Sequence, residues 1–172
     1  TPTVAERNMV ETELKNLVVK WGSTKPHFSI RRRISREIQY RNLLRFYMLI
    51  DYGAMRRSEV WALKRENIDL DERKIHIIEK EGEDAGTNMR GKPFQVSFTP
   101  KSGRPDFVII DDYLYKFLVE DEGLRNPEEQ WYIDKGDGSN YYSNPMQLSD
   151  AMSKFLKKLG IHVVGQANHW FR

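Results

Sequence analysis

The spacing of apolar residues changes twice along the chain, from a helical repeat to alternation and back to a helical repeat. Near the start, Val10, Leu14, Leu17, Val18 and Trp21 recur at three and four, the signature of one buried helical face. Thr3 and Glu6 ahead of them have the spacing of a capping box, and Gly22 is a stop. After a polar connector through Pro26 and a run of arginines, Ser35 is placed to cap a second helix. The centre of that helix, Leu43, Leu44, Phe46, Tyr47, Met48, Leu49 and Ile50, is apolar on nearly every side, which assigns it to the middle of the core. Tyr52-Gly53 ends it, and a short third helix is expected over 56–64 with Val60 and Leu63 turned inward.

Beyond Asn67-Ile68-Asp69 the period changes. Residues 74–78, 94–98 and 107–110 read as three short strands rich in β-branched and aromatic side chains. The polar stretch 81–91 joins the first two, and the turn-forming 100–105 joins the others, so a small three-stranded antiparallel sheet is the expected assembly. Asp111 or Asp112 then caps a helix whose Leu114, Phe117 and Leu118 make a buried stripe. Trp131-Tyr132-Ile133 is a brief apolar segment in a loop-rich region. A last helix starts on Asn144 and Pro145, buries Leu148, Met152, Phe155, Leu156 and Leu159, and stops at Gly160. Helices, then strands, then helices define an α+β, mainly helical domain, and 172 residues suffice for one such unit, 1–172.

Composition narrows the chemistry more than the fold. There is no cysteine, so neither a disulfide framework nor a thiolate metal site is available, and the four histidines are too scattered to suggest ligands. No apolar run is long enough to cross a bilayer. The net charge of +3 does not announce a nucleic-acid binder, but its distribution is uneven. Arg31, Arg32, Arg33, Arg36, Arg41 and Arg45 crowd one stretch, while acids gather at 79–84, at Asp111 and Asp112, and at 120–122. A phosphate-contacting stripe and a plain solvated helix start fit the arginine run equally well.

Three motifs carry candidate chemistry. Arg56 and Glu59 are three apart and share a helical face; an ordinary surface ion pair is the bland alternative. Their place directly after an apolar helix sets Arg56 at the edge of the core, where an arginine must be paired or must face a polar site. Arg57 is the neighbouring candidate. Lys101 lies on a turn from which a flexible ammonium can reach a bound ligand, with Lys92 as a second candidate. His169 and Arg172 are again three apart, and of the four histidines only His169 has an arginine three places later. His27, His76 and His162 read as structural or solvent-facing.

In order, these motifs resemble the catalytic domain of the tyrosine recombinases, the phage-integrase family. The segment from Tyr52-Gly53-Ala54-Met55-Arg56-Arg57-Ser58-Glu59-Val60 through Asn67-Ile68-Asp69 is similar to the family's first box, although Ala54 stands where glycine is usual. Thr99-Pro100-Lys101-Ser102-Gly103-Arg104 is similar to its lysine hairpin, and His169-Trp170-Phe171-Arg172 to its second box. The resemblance implies Arg56, Lys101, His169 and Arg172 as catalytic residues, Glu59 in support behind them, and DNA contacts at Arg31, Arg32, Arg33 and Arg57. It implies double-stranded DNA recombination sites as partners, a homotetramer on DNA in the full-length protein, no metal or cofactor, and a cytoplasmic protein of prokaryotic or phage origin. The nucleophilic tyrosine is expected downstream of Arg172, since every tyrosine of the chain precedes the second box. On this reading the chain is a fragment without that tyrosine and without the family's N-terminal DNA-binding domain, and is inactive alone. A DNA-binding or regulatory module of the same fold is the competing reading.

Overall fold

Thr3 and Glu6 open the first helix reciprocally: the Thr3 amide donates to Glu6 Oε2 (2.8 Å) and the Glu6 amide to Thr3 Oγ1 (3.0 Å). The computed structural model describes residues 2–22 and 30–161, with 30–34 described by backbone alone. Helix α1 (Val4–Gly22) buries Val10, Leu14 and Val18 against α2 (Ile30–Asp51). The second helix starts five residues before Ser35, so Ser35 is not its cap, and Arg31, Arg32 and Arg33 are helical rather than part of a connector. Its C-terminal half is the buried axis of the molecule, with Leu43, Phe46, Tyr47, Met48, Leu49 and Ile50 all essentially inaccessible. Helix α3 (Arg57–Trp61) is shorter than the pattern suggests and leads through a 3-10 turn, Arg65–Asn67, into the strands.

The sheet differs from expectation in membership. Strands β1 (Ile68–Asp69), β2 (Lys74–Ile77) and β5 (Asp106–Ile109) form the three-stranded antiparallel sheet, in the order β1-β2-β5. The stretch read as a polar loop supplies β3 (Lys80–Thr87), which pairs with β4 (Pro93–Phe98) in a separate two-stranded sheet. Its charged sequence lacks the alternation of a half-buried strand because only Lys80 and Ala85 turn inward and two register shifts break the period. The core face of the larger sheet carries Ile75, Ile77 and Ile110, while His76, Phe107 and Ile109 turn outward.

The final two helices follow the sequence closely. Asp111 caps α4 (Asp112–Glu122) by accepting from the Leu114 amide (2.8 Å), and Asn144 caps α5 (Pro145–Lys158) by accepting from the Gln147 amide (3.0 Å). Between them runs a long loop whose Trp131, Tyr132 and Ile133 plug the core. Buried Asp134 shapes that loop: its two carboxylate oxygens accept four backbone amides, those of Gln130, Trp131, Gly136 and Gly138, at 2.7–3.1 Å. No helix among the described residues is long and apolar enough to cross a membrane.

Candidate functional site

Arg56 is positioned by the break between α2 and α3. Gly53 follows the last turn so closely that a Cβ there would meet the Leu49 carbonyl oxygen at 2.7 Å, and Ala54 adopts a left-handed backbone, φ 51°. The chain then turns back, and the Met55 amide donates to the same Leu49 carbonyl (3.1 Å) while the Met55 side chain is buried. Arg56 follows in extended conformation, φ −81° and ψ 153°, as the residue ahead of α3. Glu59 grips it twice: Oε2 accepts the Arg56 backbone amide (2.7 Å) and Oε1 accepts Nη1 (3.1 Å). This is half of a capping box, because an arginine side chain offers no accepting oxygen to complete it.

The two partners differ in environment. The Glu59 side chain is 8% exposed and that of Arg56 46%. A carboxylate buried at a helix start is favoured by the free amides there, and it fixes one edge of the guanidinium. Nε and Nη2 of Arg56 have no partner among the described residues, so the open side of the fork faces solvent. Arg57 points elsewhere: its Nη1 donates to Ser149 Oγ (3.2 Å) and lies 3.2 Å from Met146 Sδ, tying α3 to α5.

Lys101 stands in the exposed turn between β4 and β5, closed by a Gly103 amide to Pro100 carbonyl bond (2.8 Å). Its ammonium has no hydrogen bond or ion pair among the described residues. Lys92 is also exposed, just ahead of β4. His169 and Arg172 lie outside the described residues, as do His27, His162 and the side chains of Arg31, Arg32 and Arg33. The described structure thus joins Arg56 to Glu59 and leaves Lys101 free at a turn.

Several groups that matter were not singled out in the sequence. Glu11 of α1 accepts from Tyr52 OH (2.6 Å), from Tyr113 OH and from Lys15 Nζ (2.9 Å), clamping α1 to the end of α2 and the start of α4. Burial pushes the Glu11 carboxyl up, but these hydrogen bonds and the Lys15 charge outweigh it and hold the group below its ordinary value. Lys80 is buried with its ammonium on Asn67 Oδ1 (2.9 Å), and burial lowers its pKa. A buried ionic cluster links α2 to α4: Arg45 Nε reaches both oxygens of Asp121 (2.9 and 3.0 Å), and Arg125 bridges Asp121 (3.2 Å) and Glu129 (3.3 Å). None of these residues carries a mark in the sequence that reveals its partner.

Five of the described tyrosines are poor sources of phenolate. Burial raises the hydroxyl pKa of Tyr47, Tyr52, Tyr132, Tyr141 and Tyr142, with the Asp51 and Glu11 carboxylates adding to it at Tyr47 and Tyr52. Among the described residues no group of three or more metal-ligating side chains forms. Two cavities, of about 470 Å³ beside Arg65, His76 and Glu122 and about 770 Å³ between α2 and α5 beside Tyr40, Tyr141 and Lys154, include neither Arg56 nor Lys101 in their walls. Arg56 and Lys101 are themselves exposed to solvent.

No protein-family model matches this chain, and no curated protein sequence matches it. Among solved structures, the crystal structure of XerA recombinase has the same fold, with a TM-score of 0.51 and 14% sequence identity. The match takes in 99% of this chain and 59% of that one, so the chain spans a little over half the length of its structural neighbour. The α+β architecture, mainly helical with a small antiparallel sheet, is thus one that a recombinase also uses.

Proposed function

We propose that the chain is the catalytic part of a tyrosine-type site-specific DNA recombinase or integrase, cleaving and rejoining DNA through a 3′-phosphotyrosyl intermediate. The observation that carries this reading is the Arg56 guanidinium, anchored on one edge by buried Glu59 and open on the other. Attack on a phosphodiester concentrates negative charge on the non-bridging oxygens, and a prefixed, permanently charged fork stabilises that charge without reorganising. Arg172 supplies the second guanidinium, His169 a hydrogen bond to a phosphate oxygen or a proton relay, and Glu59 the orientation of Arg56. Lys101, on a free turn, protonates the departing 5′ oxygen.

The nucleophile is a tyrosine in a segment following Arg172, which fits the buried or early placement of the tyrosines within the chain. The phosphodiester energy is retained in the tyrosyl link, so the chemistry calls for no nucleotide cofactor and no metal. Arg31, Arg32, Arg33 and Arg57 contribute phosphate contacts to double-stranded DNA, and the full-length protein acts as a homotetramer on paired sites. The fold shared with a recombinase supports the reading. The experiment is capture of a covalent adduct on a nicked duplex carrying the recombination site. A gene product extended past Arg172 traps DNA through a tyrosine, and the 172-residue chain binds DNA without trapping it. An adduct formed by the 172-residue chain, or none by the extended one, contradicts the proposal.

A further inference from the structure

The cavity between α2 and α5, about 770 Å³, has the size of a small-molecule site. Two edge-to-face ring pairs wall it: Tyr40 with Phe155, centres 6.4 Å apart, and Tyr141 with Tyr142 at 4.7 Å. Tyr40 and Tyr142 are only 9% and 8% exposed, yet their hydroxyls and that of Tyr141 have no hydrogen-bond partner among the described residues. A tyrosine buried to that extent ordinarily finds one. None of these oxygens is sealed in the core either, since among the described side chains only Trp131 Nε1 is buried there without a partner. They are therefore donors open to whatever fills the cavity. Burial raises the pKa of Tyr141 and Tyr142, which keeps both hydroxyls protonated at neutral pH.

Charge is graded along the same wall. Lys154, Lys157 and Lys158 line one end, all exposed and none with an ion pair among the described residues. Asp150, one helical turn before Lys154, is the only carboxylate among the described lining residues. From Asp150 to Lys158 the helix rises roughly 12 Å at 1.5 Å per residue, a span that an extended nucleotide covers. We infer that the cavity is a binding site for a purine nucleoside diphosphate, with the base against the tyrosine and Phe155 rings and the phosphates on the lysines. Each alternative leaves part of the wall unmatched. An aliphatic anion gives the tyrosine hydroxyls nothing to donate to, whereas a purine offers ring nitrogens. An uncharged aromatic leaves three ammonium groups unanswered. Asp150, set between rings and lysines, accepts from sugar hydroxyls, the use to which an acidic side chain is put in other nucleotide sites. Neither Arg56 nor Lys101 borders the cavity, so this site stands whether or not the cleavage reading does.

The test is calorimetric titration of the 172-residue chain with ADP, with adenosine and with inorganic pyrophosphate. ADP is expected to bind at a single site and each fragment at least about tenfold more weakly, one lacking the charge and the other the ring. Lys154→Ala and Lys158→Ala together weaken ADP by at least about tenfold and leave adenosine unchanged, with the melting temperature preserved because both side chains are exposed. Tyr141→Leu weakens ADP and adenosine alike and leaves pyrophosphate unchanged. Absence of ADP binding at millimolar concentration overturns the inference. So does pyrophosphate binding as tightly as ADP, which means a basic patch alone, or ADP binding that survives both the lysine and the tyrosine variants, which means that another surface is used.

Discussion

Ala54 holds a left-handed backbone conformation in which its Cβ crowds the following carbonyl, a strain on the order of 1–2 kcal/mol that glycine does not suffer. The strain sits two residues before Arg56 and sets the angle at which the chain enters α3. Ala54→Gly relieves it, at the cost of a more flexible unfolded chain, so the net expectation is a gain in stability of up to about 1 kcal/mol, read from chemical denaturation. A loss of that size would mean that the turn is not strained. At this scale the sequence was partly legible: Arg56 and Glu59, three apart, are in contact, though through the start of α3 and not through a shared helical face. That Arg56 lies outside the helix, with Glu59 holding its backbone as well as its side chain, depends on φ and ψ that no side-chain pattern records.

Among the elements, α1 is tied to both α2 and α4 through one side chain. Glu11 joins it to Tyr52 and Tyr113, and its folded-state pKa is depressed. A depressed carboxylate contributes stability that is complete above its unfolded value of about 4.3 and is lost as pH falls through the folded value. Urea midpoints of the native chain and of Glu11→Gln should therefore differ at neutral pH, the variant being weaker, and converge in acid. A constant difference down to low pH would remove Glu11 from the explanation. Helices were read well because their repeats and caps are local: Thr3 with Glu6, Asp111, and Asn144 with Pro145 all perform the roles their spacing suggests. Strand β3 was missed because it pairs with β4 while its own residues are mostly polar or charged, and α2 was begun too late because an arginine run ahead of a good cap, Ser35, reads as a connector although its backbone is helical.

For the whole molecule, the buried cluster of Arg45, Asp121, Arg125 and Glu129 fastens α2, α4 and the long loop that fills the core with Trp131 and Tyr132. Removing one charge leaves the others uncompensated in a low-dielectric interior. Asp121→Asn is expected to cost about 3–5 kcal/mol, enough to lower the melting temperature sharply, whereas a loss under about 1 kcal/mol would show that the cluster is well hydrated. The α+β class was legible because the switch from helical to alternating spacing and back is a property of the entire chain. The relation of Arg56 to Lys101 was not, since separate breaks in the backbone place them, one after α2 and one between β4 and β5.

Arg56 is proposed to act on a scissile phosphate and not merely on the fold or on DNA attraction. The direct measurement is strand cleavage alongside DNA retention by Arg56→Ala in a protein that extends past Arg172. Cleavage should fall by a factor of at least about 1,000 while retention changes little, the loss expected when a donor to transition-state charge is removed. Equal loss of cleavage and retention, or cleavage that survives the substitution, would contradict it.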